Sequence, residues 1–200
     1  MAKGNYLVNN SGSVMNLYHA MNSAVLVIDV QCGLFDAVPR PDEADETIDR
    51  INRLTARARE ARVPVIFIQH EQAAGVLAFG SDGWQLAAGL VVKEHDGRVR
   101  KTTPDSFLRT GLAEMLAEKG VESDLVICGY ASEFCVDTTT RRAAALGFSV
   151  QLVADGHTTH DKEHASAKEI RAHHNATLSN IRSFGSRIAA VMAADIRFGS

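Results

Sequence analysis

The stretch "LVICGYASEFCVDTTTRRAAALGFSVQLVAD", residues 125–155, contains in order an apolar run, a turn, a helix candidate and a second apolar run. Both runs are short and rich in β-branched residues, a pattern typical of strands buried on both faces of a parallel sheet. The helix candidate extends from Ser132 to Leu146 and ends before Gly147, a common stop signal. The stretch therefore predicts a strand–helix–strand unit with a right-handed crossover.

The same alternation continues on both sides of this stretch. The other apolar runs are Ala24–Ile28, Val63–Ile68, a weak run around Val99, and Ile188–Val191. The other helix candidates are Asp42–Arg62, Thr110–Lys119 and Lys162–Ile181. Strands and helices that alternate in this way predict an α/β fold with a mainly parallel sheet.

Length and composition limit the class of protein. The chain has 200 residues, enough for one domain with a full core, and we expect a single domain over residues 23–200. The formal net charge of −3 gives no electrostatic signal for nucleic acid or an anionic membrane. No apolar run approaches the roughly 20 residues that span a bilayer. We therefore expect neither nucleic acid nor a membrane as a partner.

The cysteines and the first residues bear on the compartment. Cys32, Cys128 and Cys135 are too few for a disulfide framework, and an odd count favours a reducing compartment. Residues 1–22 lack the continuous apolar segment of a signal peptide. We interpret them as a flexible extension, with Met15 or Met21 as alternative native starts, and we expect a cytoplasmic protein.

Polar residues follow several of the apolar runs directly. In parallel α/β sheets the ligand crevice lies at the carboxyl ends of the strands, so these residues are the first site candidates. They are Asp29 and Gln31, His70 and Glu71, Lys101, Cys135, and Asp155 with His157.

Cys135 has two interpretations. Ser132 is a suitable N-cap, which would place the thiol in the first helical turn. There the helix dipole lowers the pKa of a thiol and free N–H groups stabilise an oxyanion, as a nucleophile requires. Alternatively, Cys135 is a small core side chain, the interpretation that we prefer for Cys128 and Cys32.

Asp29 and Lys101 also have two interpretations each. A carboxylate at the end of an apolar strand is costly unless it is paired or functional, although Asp29 could instead stabilise a turn. Lys101 taken alone is an ordinary surface charge. Together with Cys135 they predict a nucleophilic site, in which aspartate is the general base and lysine stabilises the thiolate.

The chain resembles the isochorismatase-like cysteine hydrolase superfamily, which includes nicotinamidases and N-carbamoylsarcosine amidase. The matching pieces are "AVLVIDVQCGLFD" (24–36), "VRKTTPDSFLRTGLAEML" (99–116) and "LVICGYASEFCVDTTTRRAAALGFSVQLVADGHTT" (125–159). The resemblance implies a three-layer α/β/α fold with a six-stranded sheet, and a catalytic triad of Asp29, Lys101 and Cys135. It also implies a cis peptide bond between Tyr130 and Ala131. The Ala131 and Cys135 N–H groups would then form an oxyanion hole.

Nicotinamidases in this superfamily hold a metal through an Asp-x-His motif and a further histidine. This chain has no histidine between His19 and His70, so we expect neither a metal nor another cofactor. A second group of histidines lacks any tight metal-binding spacing and is interpreted as a loop and a polar helix face. These histidines are His157, His160, His164, His173 and His174. Of these, His157 directly follows a strand and could reach the rim of the pocket.

Isochorismatases proper cleave a vinyl ether and lack the cysteine, so Cys135 favours hydrolysis of a C–N bond in a small amide or carbamoyl compound. The segment at 69–86 resembles a streptothricin-hydrolase-like subgroup. The predicted substrate contacts are Phe35, His70, Trp84, Tyr130 and Phe134. Ester, lactam or vinyl-ether hydrolysis on the same fold and a catalytically silent binding protein are the alternatives. Relatives are often homodimers or homotetramers, and we expect a homo-oligomer here.

Overall fold

The computed structural model describes residues 22–198. Its strands are β1 (Ser23–Ile28), β2 (Val65–His70), β3 (Gly97–Lys101), β4 (Asp124–Tyr130), β5 (Ser149–Thr158) and β6 (Ile188–Val191). Its α-helices are α1 (Cys32–Phe35), α2 (Ala44–Glu60), α3 (Leu112–Glu118), α4 (Asp137–Ala145) and α5 (Ala167–Asn180). A π-helical turn, Ser132–Val136, directly precedes α4. The predicted N-terminal extension lies outside the described residues, except for Asn22.

The six strands form one sheet in the order β3-β2-β1-β4-β5-β6, and every neighbouring pair is parallel. The predicted parallel α/β architecture is therefore confirmed. The chain runs outward from β1 to β3 and then returns to β4 on the other side of β1. This reversal places a topological switch point between β1 and β4, where ligands bind in open α/β sheets.

Helices cover both faces of the sheet because successive side chains of each buried strand point to opposite faces. On β1, Leu26 and Ile28 belong to one core cluster, whereas Val25 and Val27 belong to the other. Helix α2 packs on the second face through apolar residues spaced three and four apart: Ile48, Ile51, Leu54 and Ala58. Helices α3, α4 and α5 cover the first face with Leu112, Leu116, Ala143, Ala144 and Leu178.

The end of β4 lies unusually close to β1. Gly129 has φ of +119°, and a Cβ at this position would collide with the backbone of Ile28. Only glycine fits such a backbone position without strain. The pairing of β4 with β5 also shifts register here, so that Gly129 lies opposite His157. The irregularity places His157 beside the carboxyl end of β4.

In the part of the chain that the structure describes, none of the helices combines the length and apolarity required to cross a membrane.

Candidate active site

Three side chains converge at the carboxyl end of the sheet. The ammonium nitrogen of Lys101, at the end of β3, lies 2.7 Å from Asp29 Oδ2 and 3.2 Å from Cys135 Sγ. Asp29 directly follows β1, and Cys135 lies in the π-helical turn that follows β4. The sheet therefore brings together an acid, a cation and a thiol that are distant in sequence.

Asp29 and Lys101 form a buried ion pair, with their side chains 2% and 0% exposed. Taking two charges out of water is costly, so the pair needs close contact and further hydrogen bonds. The second carboxylate oxygen, Asp29 Oδ1, is buried and has no hydrogen-bond partner among the described residues. Asp29 also has φ of +51°, a left-handed conformation that non-glycine residues rarely adopt. Backbone strain and an unsatisfied buried oxygen are features typical of functional positions.

His70, at the end of β2, is the fourth member of this group. Its Nδ1 lies 3.1 Å from Lys101 Nζ. One ligand atom each from Asp29, His70 and Cys135 lie within 4.8 Å of one another, the only such group of potential metal ligands among residues 22–198. The Lys101 ammonium contacts all three of these side chains and so supplies a positive charge between them.

The environment of Cys135 raises the pKa of its thiol. Burial, followed by the Asp29 charge, raises this pKa to about 12, whereas the Lys101 charge acts in the opposite direction. The expectation of a lowered thiol pKa is therefore wrong, because burial raises the pKa of Cys135. Burial, followed by the Lys101 charge, also lowers the pKa of His70, which favours the neutral imidazole.

The turn that carries Cys135 differs from the predicted helix start. Phe134 and Val136 N–H both donate to the Ala131 carbonyl, and the latter contact spans five residues, as in a π-helix. The peptide bond between Tyr130 and Ala131 is cis. Ser132 is not an N-cap, because its hydroxyl lies 2.7 Å from His157 Nδ1 instead of bonding to the helix.

His157 belongs to a buried hydrogen-bond chain behind this turn. Asn175 Nδ2 donates to the Ala154 carbonyl, and Asn175 Oδ1 lies 2.9 Å from His157 Nε2. His157 therefore donates from Nε2 and accepts the Ser132 hydroxyl at Nδ1. The imidazole is fully buried, and this burial lowers its pKa to about 4. The prediction that His157 reaches the pocket rim is wrong, since the ring supports the turn from behind.

The predicted substrate contacts occupy different environments. Phe35 is fully buried and packs edge-on against Tyr130, with ring centroids 5.9 Å apart, so we assign it to the wall behind the site. The Tyr130 hydroxyl lies 2.8 Å from His160 Nδ1. Burial raises the pKa of Tyr130 to about 12. Phe134 is 55% exposed, one residue before the thiol.

Trp84 is held next to His70 by glutamine side chains. Gln31 and Gln69 each donate to the Trp84 carbonyl at 2.9 Å. The indole Nε1 is buried, without a hydrogen-bond partner in the described part of the chain. Gln31 supports the site by joining the backbones of His70 and Trp84. In the sequence, only its position shortly after β1 indicates this role.

The remaining histidines do not form a metal centre with the described residues. His164, His173 and His174 line a separate cavity of about 520 Å³, together with Glu133 and Glu169. His160 instead bonds Tyr130 and the Pro39 carbonyl. The interpretation of the histidine group as a polar helix face and loop fits the exposed His164 and His173 but not His157, which is buried within β5.

Residues 23–183 match the family model of the isochorismatase domain. The chain belongs to the isochorismatase family. It is 39% identical over 139 residues to a streptothricin hydrolase of Streptomyces noursei, a match that covers 69% of this chain and 50% of the relative. It is 28% identical over 174 residues to nicotinamidase 3 of Arabidopsis thaliana, a match that covers 80% of each chain.

The solved structures give the same assignment. A crystal structure of an isochorismatase family protein is 35% identical, superposes with a TM-score of 0.78, and covers 85% of this chain and 98% of that one. The chain thus has the isochorismatase-family cysteine hydrolase fold, and its relatives include hydrolases. It spans about half the length of the streptothricin hydrolase that it matches.

Proposed function

We propose that this isochorismatase-family protein is a cysteine-dependent hydrolase that cleaves a C–N bond in a small amide or carbamoyl compound. The observation that carries the proposal is the position of Lys101 Nζ, in hydrogen-bond contact with both Asp29 and Cys135. A partly exposed thiol beside a buried carboxylate and a buried cation supplies the nucleophile, the base and the charge that acyl transfer needs.

In the first step, Asp29 accepts the Cys135 proton as the sulfur attacks the substrate carbonyl carbon. A thiol with a pKa of about 12 is protonated at rest, so proton removal accompanies the attack. The negative charge that would form on sulfur is stabilised by the Lys101 ammonium. The Ala131 and Cys135 N–H groups are proposed to donate to the tetrahedral oxyanion.

In the second step, protonated Asp29 gives its proton to the departing amine, and the C–N bond breaks to leave a thioester on Cys135. Water then attacks the thioester, and Asp29 accepts a proton from that water. The acid is released, and the sulfur recovers its proton. In the resting protein, Asp29 Oδ1 has no hydrogen-bond partner among the described residues and is available to accept the first proton.

The substrate wall is proposed to contain Trp84, Tyr130 and Phe134, with His70 beside the thiol. An aromatic wall with few polar groups suits a small-molecule substrate. Because the relatives include a streptothricin hydrolase and a nicotinamidase, streptothricin and nicotinamide are the first compounds to test. Oligomerisation remains a prediction, which light scattering coupled to size-exclusion chromatography would test.

The test is a panel of amides, N-carbamoyl compounds, lactams, esters and a vinyl ether, assayed with wild type, Cys135→Ala and Cys32→Ala. Cys32 is the matched control because it is also a partly exposed free thiol at this end of the sheet. We expect turnover of a C–N substrate that Cys135→Ala abolishes and Cys32→Ala retains. Turnover that survives in Cys135→Ala would exclude covalent catalysis by this residue, and preference for the ester or vinyl ether would move the protein to another reaction class.

A further inference from the structure

The ammonium of Lys101 has three N–H donors, and three side chains surround it. Asp29 Oδ2 and Cys135 Sγ accept two of these donors, at 2.7 Å and 3.2 Å. The nearest partner for the third is His70 Nδ1, at 3.1 Å. Because the Lys101 side chain is 0% exposed in this structure, its third N–H depends on an acceptor from the protein.

This contact determines the tautomer of His70. A ring nitrogen that accepts from an ammonium carries no proton, so a neutral His70 must hold its proton on Nε2. An uncharged acceptor suits this position, since a carboxylate there would place a second anion beside Asp29.

The backbone of His70 is fixed independently of its ring. Its N–H donates to Gln31 Oε1 at 2.9 Å, and its carbonyl accepts from Gln31 Nε2 at 3.0 Å. Gln31 is fully buried and lies two residues after Asp29. The amide of Gln31 therefore ties the end of β2 to the segment that carries the carboxylate. The backbone of His70 therefore has a defined position relative to the segment that carries Asp29.

We propose that His70 is a positioning residue of this site: its neutral ring accepts the third N–H of Lys101 and keeps the ammonium in contact with both Asp29 and Cys135. The inference deepens the proposed function. The charged and titratable groups around the ring are Lys101 from β3, Asp29 after β1, Cys135 from the π-helical turn, and the adjacent Glu71. Glu71 forms an ion pair with Arg100 at 2.6 Å. Among the described residues, Asp29 is therefore the only carboxylate paired with Lys101.

The test compares His70→Asn with His70→Leu, two side chains of similar shape. Asparagine retains an acceptor oxygen near the position of Nδ1, whereas leucine has none. Without the acceptor, one N–H of a buried ammonium is unpaired, which favours the neutral amine and weakens the stabilisation of the Cys135 thiolate. The readout is the iodoacetamide alkylation rate of Cys135 between pH 6.5 and 9.5, measured by peptide mass spectrometry.

We expect His70→Leu to slow alkylation at pH 8 by about tenfold, equivalent to a one-unit rise in the thiol pKa. His70→Asn should stay within about threefold of wild type. Labelling of the leucine variant at the wild-type rate, or equal losses in both variants, would overturn the inference. A merely structural role for the ring would not separate these two variants.

A second measurement needs no substitution. Histidine ¹⁵N NMR of the wild-type protein at neutral pH should show His70 as the Nε2–H tautomer with an unprotonated Nδ1, and the opposite tautomer would overturn the inference. Both readouts are independent of turnover. If Cys135→Ala retained hydrolysis, the proposed function would fail while the tautomer and the alkylation contrast would still be observed.

Discussion

Lys101 Nζ lies 2.7 Å from Asp29 Oδ2, and both side chains are almost completely buried. Removing one member of such a pair leaves an uncompensated buried charge, at a cost of about 3–5 kcal/mol. We expect Lys101→Met to lower the free energy of unfolding by about this amount at pH 7, and Asp29→Asn/Lys101→Met to recover part of it. Urea denaturation measures both.

The control for this prediction is an exposed pair. Arg53 and Asp49 lie 3.9 Å apart with side chains 77% and 67% exposed, so Arg53→Met should cost less than about 1 kcal/mol. A loss in Lys101→Met no larger than that in Arg53→Met would contradict the account of the buried pair.

The two charged neighbours of Cys135 should have opposite effects on the thiol. The Asp29 charge raises the pKa of Cys135, and the Lys101 charge lowers it. At pH 8, Asp29→Asn should therefore increase the rate of alkylation by iodoacetamide, although the loss of the base abolishes turnover. Lys101→Met should decrease both the rate of alkylation and the rate of turnover. If Asp29→Asn slowed alkylation, the carboxylate would not be acting on the thiol through its charge.

Gly129 is expected to tolerate no side chain. Its φ of +119° and the contact that a Cβ would make with the Ile28 backbone both oppose Gly129→Ala. We expect a loss of roughly 2–4 kcal/mol in the free energy of unfolding. Gly111→Ala is the control, because a Cβ at Gly111 has no neighbour within 4 Å, and it should cost about 1 kcal/mol or less. If thermal or urea unfolding showed equal losses of stability in Gly129→Ala and Gly111→Ala, the backbones of β1 and β4 would not be in close contact at Gly129.

His157 should make the protein less stable in acid. Burial lowers its folded-state pKa from 6.5 to about 4, so between these values the unfolded chain binds more protons. Its contribution to stability is retained above pH 6.5 and lost as the pH falls toward 4, by about 3 kcal/mol.

The comparison that isolates this residue is His157→Gln, measured by urea unfolding at pH 7 and pH 4.5. The variant should be less stable at pH 7, where it loses part of the Ser132–Asn175 chain, but should lose less stability on acidification than wild type. If the free energy of unfolding fell by the same amount in wild type and in His157→Gln on acidification, His157 would not remain neutral in the folded protein.

The sequence was most informative where local pattern and burial agree. The apolar runs at Ala24–Ile28 and Val63–Ile68 become the interior strands β1 and β2, because a strand buried on both faces has no polar alternation. Strand β3 is weakly marked because it is an edge strand in which exposed Arg98 and Arg100 alternate with buried Val99 and Lys101. The rule that ligands bind at the carboxyl ends of strands located Asp29, Lys101 and Cys135.

The sequence did not predict features that depend on contacts between distant residues. Serine is a residue type that favours N-caps, but the Ser132 hydroxyl instead forms a hydrogen bond with the buried imidazole of His157 on β5. The thiol pKa of Cys135 depends on burial by surrounding elements and on the charges of Asp29 and Lys101, which lie far away in sequence. The contact of His70 with Lys101 depends on the pairing of β2 with β3, in which these two residues are register partners.

The most direct test of the account is to detect the covalent intermediate. A substrate identified in the panel would be mixed with the enzyme, quenched in acid within milliseconds to seconds, and analysed by intact-protein and peptide mass spectrometry. We predict a mass increase equal to the acyl group on the peptide that contains Cys135, formed before the acid is released and absent from Cys135→Ala. Full turnover of a C–N substrate with no adduct on Cys135 at any quench time, and with activity retained in Cys135→Ala, would contradict it.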